Sequence, residues 1–482
     1  MSIASALNNA LSGLAATSRT AEIVSSNLSN ALTDGYGRRS VQLSSAQVGN
    51  SSGGVQVVGI QRHVDAAILS DRRLADASLK GQEFGAAALN RLELALGGPD
   101  SERGLSARLA AFEQALISSG SDPGSELRLT TVVSRLHDVT DTLRSNTQTI
   151  QEQRQAADGT IARTVETLNT ALKSVEALNN DIMRLKATGT ETSALYDARQ
   201  RAVDQVAAIV PIREMQRDSG MISLFTTSGA ALLESRAIQF GFEPTPTIVA
   251  DMSFAGGTLS GITADGVPVS ATNGIGQLDG GSLGAAFALR DETLVETQNA
   301  LDDIAADLIA RFQDPANDPT LTAGDLGLLT DQGNPLDPAD TLGLAGRINV
   351  NPAIDPASGG ELRLLRDGLN SVVAGAPGDP AQLDRWIMAL EVPRADLPGM
   401  TTRTAAGRIA DFTASVGNTR LNAEQKLSFT AARWDTLREA ELSNGVDTDI
   451  ELQILLQVEQ AYAANAKVVE TVDFMMQRLM EI

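Results

Sequence analysis

The chain has 482 residues, a formal net charge of −22 and no cysteine, so disulfides and thiolate chemistry are excluded, and the acidity disfavours nucleic acid or an anionic membrane as partner. Hydrophobic residues make up 42%, enough for cores in roughly three domains, but aromatics are only 3%, so Leu, Val, Ile and Ala must fill them. No run approaches the ~20 apolar residues of a membrane span, and the first charged residue is Arg19, so neither membrane insertion nor an ordinary cleaved signal peptide is expected.

Residues 1 to about 32 read as one helix. Ile3, Leu7, Ala10, Leu14, Thr17, Ala21, Val24, Leu28 and Ala31 follow at alternating steps of four and three, the spacing of a narrow coiled-coil seam. Thr33-Asp34-Gly35 stops it, with Gly suited to a left-handed C-terminal position. Residues 39–63 read as a hairpin turning at positions 49–54. Helices resume near Val64, and Leu105, Leu109, Phe112 and Leu116 share one face of the next.

A long helix is expected over about 125–186. Its stripe is Leu129, Val132, Leu136, Val139, Leu143, Ile161, Val165, Leu168, Leu172, Val175 and Ile182. Gly159 is a candidate interruption, since Gly costs ~1 kcal/mol within a helix, and Gly189 ends the run. A shorter helix starts at Ser193 and stops before Pro211.

From Ile212 to about Ser282 short apolar runs alternate with Gly, Pro, Asn and Asp, the texture of a small β domain. Helical periodicity returns over about 283–312. An Asp/Pro/Gly-rich stretch to about 398 is expected to be loop-dominated, with a short helix near 382–390. The segment 241–380 holds 20 Asp or Glu against 5 Arg and no Lys. A long helix over about 404–442 breaks at Asn444-Gly445, and a last helix begins near Asp447 or Asp449, either of which could cap it. That helix carries the second seam: Leu455, Val458, Tyr462, Asn465, Val469, Val472, Met476 and Leu479.

The fold class that follows is mainly α with an inserted β domain: a coiled-coil-like terminal pair, a helical-bundle middle and a small β-rich outer part. The expected division assigns 1–38 and 446–482 to the terminal helices. It gives 39–210, 283–313 and 400–445 to a helical middle domain with a hairpin, 211–282 to the outer domain, and 314–399 to a loop-rich segment packed on the middle and outer domains.

Several segments carry a family resemblance. Residues 10–14 (Ala-Leu-Ser-Gly-Leu), the Asn27/Asn30 pair and Thr33-Asp34-Gly35-Tyr36 resemble the N-terminal signature of bacterial flagellar axial proteins of the rod and hook type. Residues 459–468 (Glu-Gln-Ala-Tyr-Ala-Ala-Asn-Ala-Lys-Val) and Thr471-Val472-Asp473 resemble that family's closing helix. Inside the chain, 194–201 (Ala-Leu-Tyr-Asp-Ala-Arg-Gln-Arg), 284–291, 342–351 and Arg38 are similar to its members at the hook–filament junction. At Gln313-Asp314-Pro315 the chain departs from relatives that tend to show Asn and His there.

The resemblance implies a non-enzymatic structural subunit, exported through the flagellar type III apparatus and polymerised outside the cell. It implies terminal helices forming an inner tube, with Ile3, Leu7, Leu14, Ala21, Leu28, Tyr36, Leu455, Val458, Tyr462, Val469, Val472, Met476 and Leu479 as the assembly interface. Implied partners are further copies in a ring or helical layer, the hook protein, hook-associated protein 3 and an export chaperone. No cofactor, metal or nucleic acid is implied.

Weak seams, rich in Ala and Ser at the N-terminal end, are expected to leave both termini disordered in the free chain. Two alternatives compete: another axial subunit such as the hook protein, or an enzyme with carboxylate chemistry in the middle region. Arg38 and Arg39 read as a solvated pair or as partners of carboxylates on a neighbouring subunit. Tyr36 reads as a packed turn aromatic or a subunit contact. His63 and His137 read as surface or structural residues.

Overall fold

A computed structural model describes residues 3–48, 51–98, 101–271, 276–395 and 400–480. In chain order, α1 (Ile3–Ser29) leads into the hairpin β1 (Arg38–Val48) and β2 (Ser51–His63). Four helices follow: α2 (Ala66–Leu96), α3 (Leu105–Gly120), α4 (Glu126–Ala187) and α5 (Ser193–Ile209). Next come β3 (Ile212–Gln216), β4 (Ile222–Thr226), β5 (Ala231–Leu233), β6 (Phe240–Gly241), β7 (Ile262–Ala264) and β8 (Val267–Val269). They form two antiparallel three-stranded sheets, ordered β3-β4-β5 and β6-β7-β8.

A π-helical turn, Leu289–Thr293, joins α6 (Gly281–Ala288) to α7 (Leu294–Gln313). The short elements β9 (Leu329–Asp331), α8 (Leu344–Arg347), β10 (Ile348–Val350) and α9 (Leu364–Asp367) precede α10 (Ala381–Glu391). Two long helices close the chain, α11 (Ala405–Ser443) and α12 (Thr448–Met480).

The 62-residue α4 is the spine, about 93 Å long at 1.5 Å per residue. Glu126 in its first turn and Arg184 and Lys186 in its last complement the helix dipole. Gly189, at φ +72°, terminates it in the left-handed conformation. Its apolar stripe serves two cores in succession. Leu129, Val132, Leu136, Val139, Leu143 and Ile150 pack with α2, α3, α7, α10 and the start of α11. Ile161, Val165, Leu168, Leu172 and Val175 pack with α5, α6 and the two small sheets. Gly159 lies inside the unbroken helix. One glycine's ~1 kcal/mol is overridden by the packing of Ala157 and Ile161 on either side of it, both buried.

Loop-like composition conceals a folded segment between α7 and α10. Leu321, Leu328, Leu344, Ile348, Ile354, Leu365 and Leu369 join the first core. Trp386 is fully buried, donates through Nε1 to Leu365 O at 3.1 Å, and meets Phe312 edge-on. At the departure from the family pattern, Gln313 Oε1 accepts from Leu336 N at 2.9 Å and Asp314 pairs with Arg394 at 2.7 Å.

The hairpin pairs Arg38 with His63, Arg39 with Arg62 and Val41 with Ile60. Positions 49 and 50 of the expected turn lie outside the described residues. Gly54 belongs to β2, not to a turn; its φ is +93°, and an added Cβ would lie 2.2 Å from Ser12 Oγ of α1. Its lack of a side chain therefore lets the hairpin lie against α1, where Ser12 Oγ accepts from Val55 N at 3.1 Å. No helix among the described residues is long and apolar enough to cross a membrane.

Candidate assembly interface

The two terminal helices pack along each other. Gly13 faces Asn465 at close range: a Cβ added at Gly13 would lie 2.7 Å from Asn465 Nδ2. Asn465 is half-buried, donates to Ala461 O of its own helix at 2.9 Å, and lies against Gly13 of α1. Of the expected interface residues, Ile3, Leu7, Leu14, Ala21, Leu455, Val458 and Val469 are half-buried and Val472 is buried. Leu28, Tyr462, Met476 and Leu479 are not covered within the chain; Leu479 is 60% exposed. A second set on α12, including Leu456 and Phe474, is exposed as well. The terminal pair therefore buries one narrow seam and leaves much apolar surface open.

The α12 N-terminus is set by Asp447, whose Oδ1 accepts from Asp449 N at 2.9 Å and Ile450 N at 3.1 Å. One turn later comes a residue that periodicity alone makes improbable in a seam. Glu451 is 1% exposed; with Val472 it makes up the buried set of α12. Arg38 Nε donates to its Oε1 at 2.7 Å, and Asn27 Nδ2 donates to its Oε2 at 3.0 Å.

Asn27, fully buried near the end of α1, has every polar site engaged. Its Oδ1 accepts from Tyr36 Oη at 2.9 Å and Arg39 N at 3.0 Å, and its Nδ2 also donates to Arg39 O at 2.8 Å. Tyr36 is thus a packed turn aromatic within the chain, with the Arg39 guanidinium 4.8 Å from its ring centre.

Successive residues of a strand point to opposite faces, and Arg38 and Arg39 use this. Arg38 reaches α12, while Arg39 reaches Asp197 on α5. Asp197, 4% exposed, also accepts from Arg62 Nε at 2.7 Å and Gly37 N at 3.1 Å. Arg38 and Arg39 are therefore neither a solvated pair nor waiting for a neighbour's carboxylates. They bridge the terminal pair to the helical body. Beneath them Arg72 pairs with Asp204 and Glu441, and Arg73 with Asp204 and Glu214, tying α2, α5, β3 and the end of α11. His63 Nε2 lies 2.7 Å from Ser40 Oγ, and His137 Nε2 lies 3.4 Å from Asp355.

Comparison with known proteins fits this arrangement part by part. Residues 89–327 match the family model of the flagellar hook-associated protein FlgK helical domain. Residues 7–36 match the flagella basal body rod protein model, and residues 441–482 the flagellar basal body rod FlgEFG protein C-terminal model. The chain is 26% identical over 319 residues to flagellar hook-associated protein 1 of Salmonella typhimurium, covering 63% of this chain but just over half, 55%, of that protein. It is 22% identical over 507 residues to flagellar hook-associated protein 1 of Bacillus subtilis, covering 98% and 97%. The fold resembles the flagellar hook junction protein FlgK from Burkholderia pseudomallei, with a TM-score of 0.58, 13% identity, and coverage of 78% of this chain and 100% of that one.

Terminal helices of the rod type, paired and bolted to a long helical body, define a flagellar axial protein, a class of structural proteins rather than enzymes. Within that class, the chain belongs to the flagellar hook-associated protein 1 family.

Proposed function

We propose that the protein is a structural subunit of the bacterial flagellum that forms the junction between hook and filament, on which filament assembly depends. One observation carries the reading: the two ends of the chain meet in a helix pair that leaves Tyr462, Met476 and Leu479 open on α12. Burial of a Leu-sized side chain is worth roughly 1.5–3 kcal/mol, so packing against further copies in a ring or helical layer would recover that area.

In this reading α1 and α12 line the inner tube, the helical body surrounds them and the β3–β8 region faces outward. The hook protein lies on one side and hook-associated protein 3 on the other. Delivery runs through the type III export apparatus with a chaperone covering α12, which places the working protein outside the cell.

Removing residues 447–482 tests the role of the helix pair. The truncated chain is expected to keep its two cores, which contain no residue of α12, yet to be absent from isolated hooks. Its incorporation at the normal level would refute the role given to α12.

A further inference from the structure

Among 33 residues of α12, one of the two buried is a carboxylate, and it sits one turn from the helix start. Both its oxygens are taken by groups from the other end of the chain: Arg38 on β1 and Asn27 on α1. The same Asn27 holds Tyr36 and the Arg39 backbone, and Arg39 continues to Asp197 on α5. An unbroken polar chain therefore runs from α12 through α1 and the hairpin into the helical body. A buried carboxylate with one guanidinium and one amide is satisfied in only one placement of the helix, whereas Ala- and Ser-rich apolar seams tolerate sliding.

We propose that Glu451 is the positioning residue of the terminal pair: with Arg38 and Asn27 it fixes the register of α12 on α1, and it makes the two ends order and release as one unit. The proposal rests on the assembly role given above to α1 and α12. It adds that this role depends on a charge latch rather than on seam burial alone. Either terminal helix that loses the latch then loses its partner's order too, although the latched residues are 424 positions apart in sequence.

Hydrogen exchange on the full-length soluble protein tests it without reference to flagella. In Glu451→Gln, amides over 23–30 of α1 are expected to exchange roughly tenfold faster or more, together with those over 451–458. In Arg38→Gln, the same two segments should lose protection together. The swap Arg38→Glu/Glu451→Arg should restore part of it in both segments; restoration stays partial because the Asn27 amide faces the new guanidinium. Amides of α4 and α7 serve as the folding control.

Loss confined to the helix that carries the substitution, or unchanged exchange with α4 and α7 intact, would overturn the latch. So would a swap that recovers nothing while the single Glu451→Gln change is severe. The failure of the junction reading would appear elsewhere, as normal filaments on cells lacking the protein, and leaves these exchange rates untouched.

Discussion

Asp197 sits where removal of a single carboxylate should detach the hairpin from the helical body. Arg39 and Arg62 occupy directly paired positions across the hairpin, an arrangement that repels unless a countercharge lies between them. Asp197 supplies it, with side-chain exposures of 13% for Arg39, 17% for Arg62 and 6% for Asp197. Asp197→Ala deletes two charge-assisted bonds and the bond from Gly37 N. Breaking one side of such a buried network costs about 3–5 kcal/mol.

The lower figure applies here. Arg62 keeps Gly35 O at 3.2 Å, and Arg39 keeps its place over Tyr36. About 3 kcal/mol corresponds to exchange roughly a hundredfold faster. Amide exchange over 38–46 and 55–63 measures it directly, and the α4 amides should hold steady. Asp197→Asn, which retains an acceptor, should fall between. Hairpin exchange within a factor of two of the parent in Asp197→Ala would show that Asp197 does not hold the hairpin to the helical body.

Three further outcomes are expected. Asp302, 2% exposed, is pushed up to about 6 by burial, against opposing bonds from Ala345 N, Gly343 N and Gln298. Its folded value lies above its unfolded one, so its contribution is fully present below about pH 4 and lost as pH rises through 6, a change of roughly 3 kcal/mol. An Asp302 carboxyl resonance titrating below pH 4 in the native protein would contradict this. Because the chain has no cysteine, Gly13→Cys/Asn465→Cys can be oxidised without background; an intramolecular disulfide should form in the full chain, and its absence would argue against the α1–α12 register. Finally, free-chain amides over 5–20 and 466–480 should exchange fast and become protected on assembly, while those near Asn27 and Glu451 are slow from the start. Uniform protection along α1 before assembly would count against this.

Disorder in the free chain is thus expected for only part of each terminus, not for both termini throughout as the seams alone suggest. Ile23, Val24 and Asn27 are buried within the chain, and polar anchoring, invisible to apolar periodicity, is the reason. Long helices were legible because their stripes are long: the expected α4 stripe is buried throughout. The segment between α7 and α10 was not, because short turns held by Asp and Asn caps bury one or two apolar residues each and leave no period to detect.

At the site, Asn27, Tyr36 and Asp197 all fell inside quoted motifs; the packing of Tyr36 was among its readings, but Asn and Asp are residue types mostly found exposed, and nothing in the motif marks Asn27 and Asp197 as buried. Glu451 had a detectable signal. Continuing the alternation back from Leu455 by four places it in the seam itself, and a charge at a seam position demands a partner. Its partner, Arg38, was read instead as free or intermolecular, since nothing in a linear pattern brings residues 38 and 451 together.

The junction role is tested most directly by electron microscopy of cells from which the gene is removed. Such cells are expected to carry hooks of normal form without filaments, with filament subunits recovered from the medium, and to regain filaments when the intact gene is restored. Full-length filaments on those cells, or the absence of hooks altogether, would contradict it.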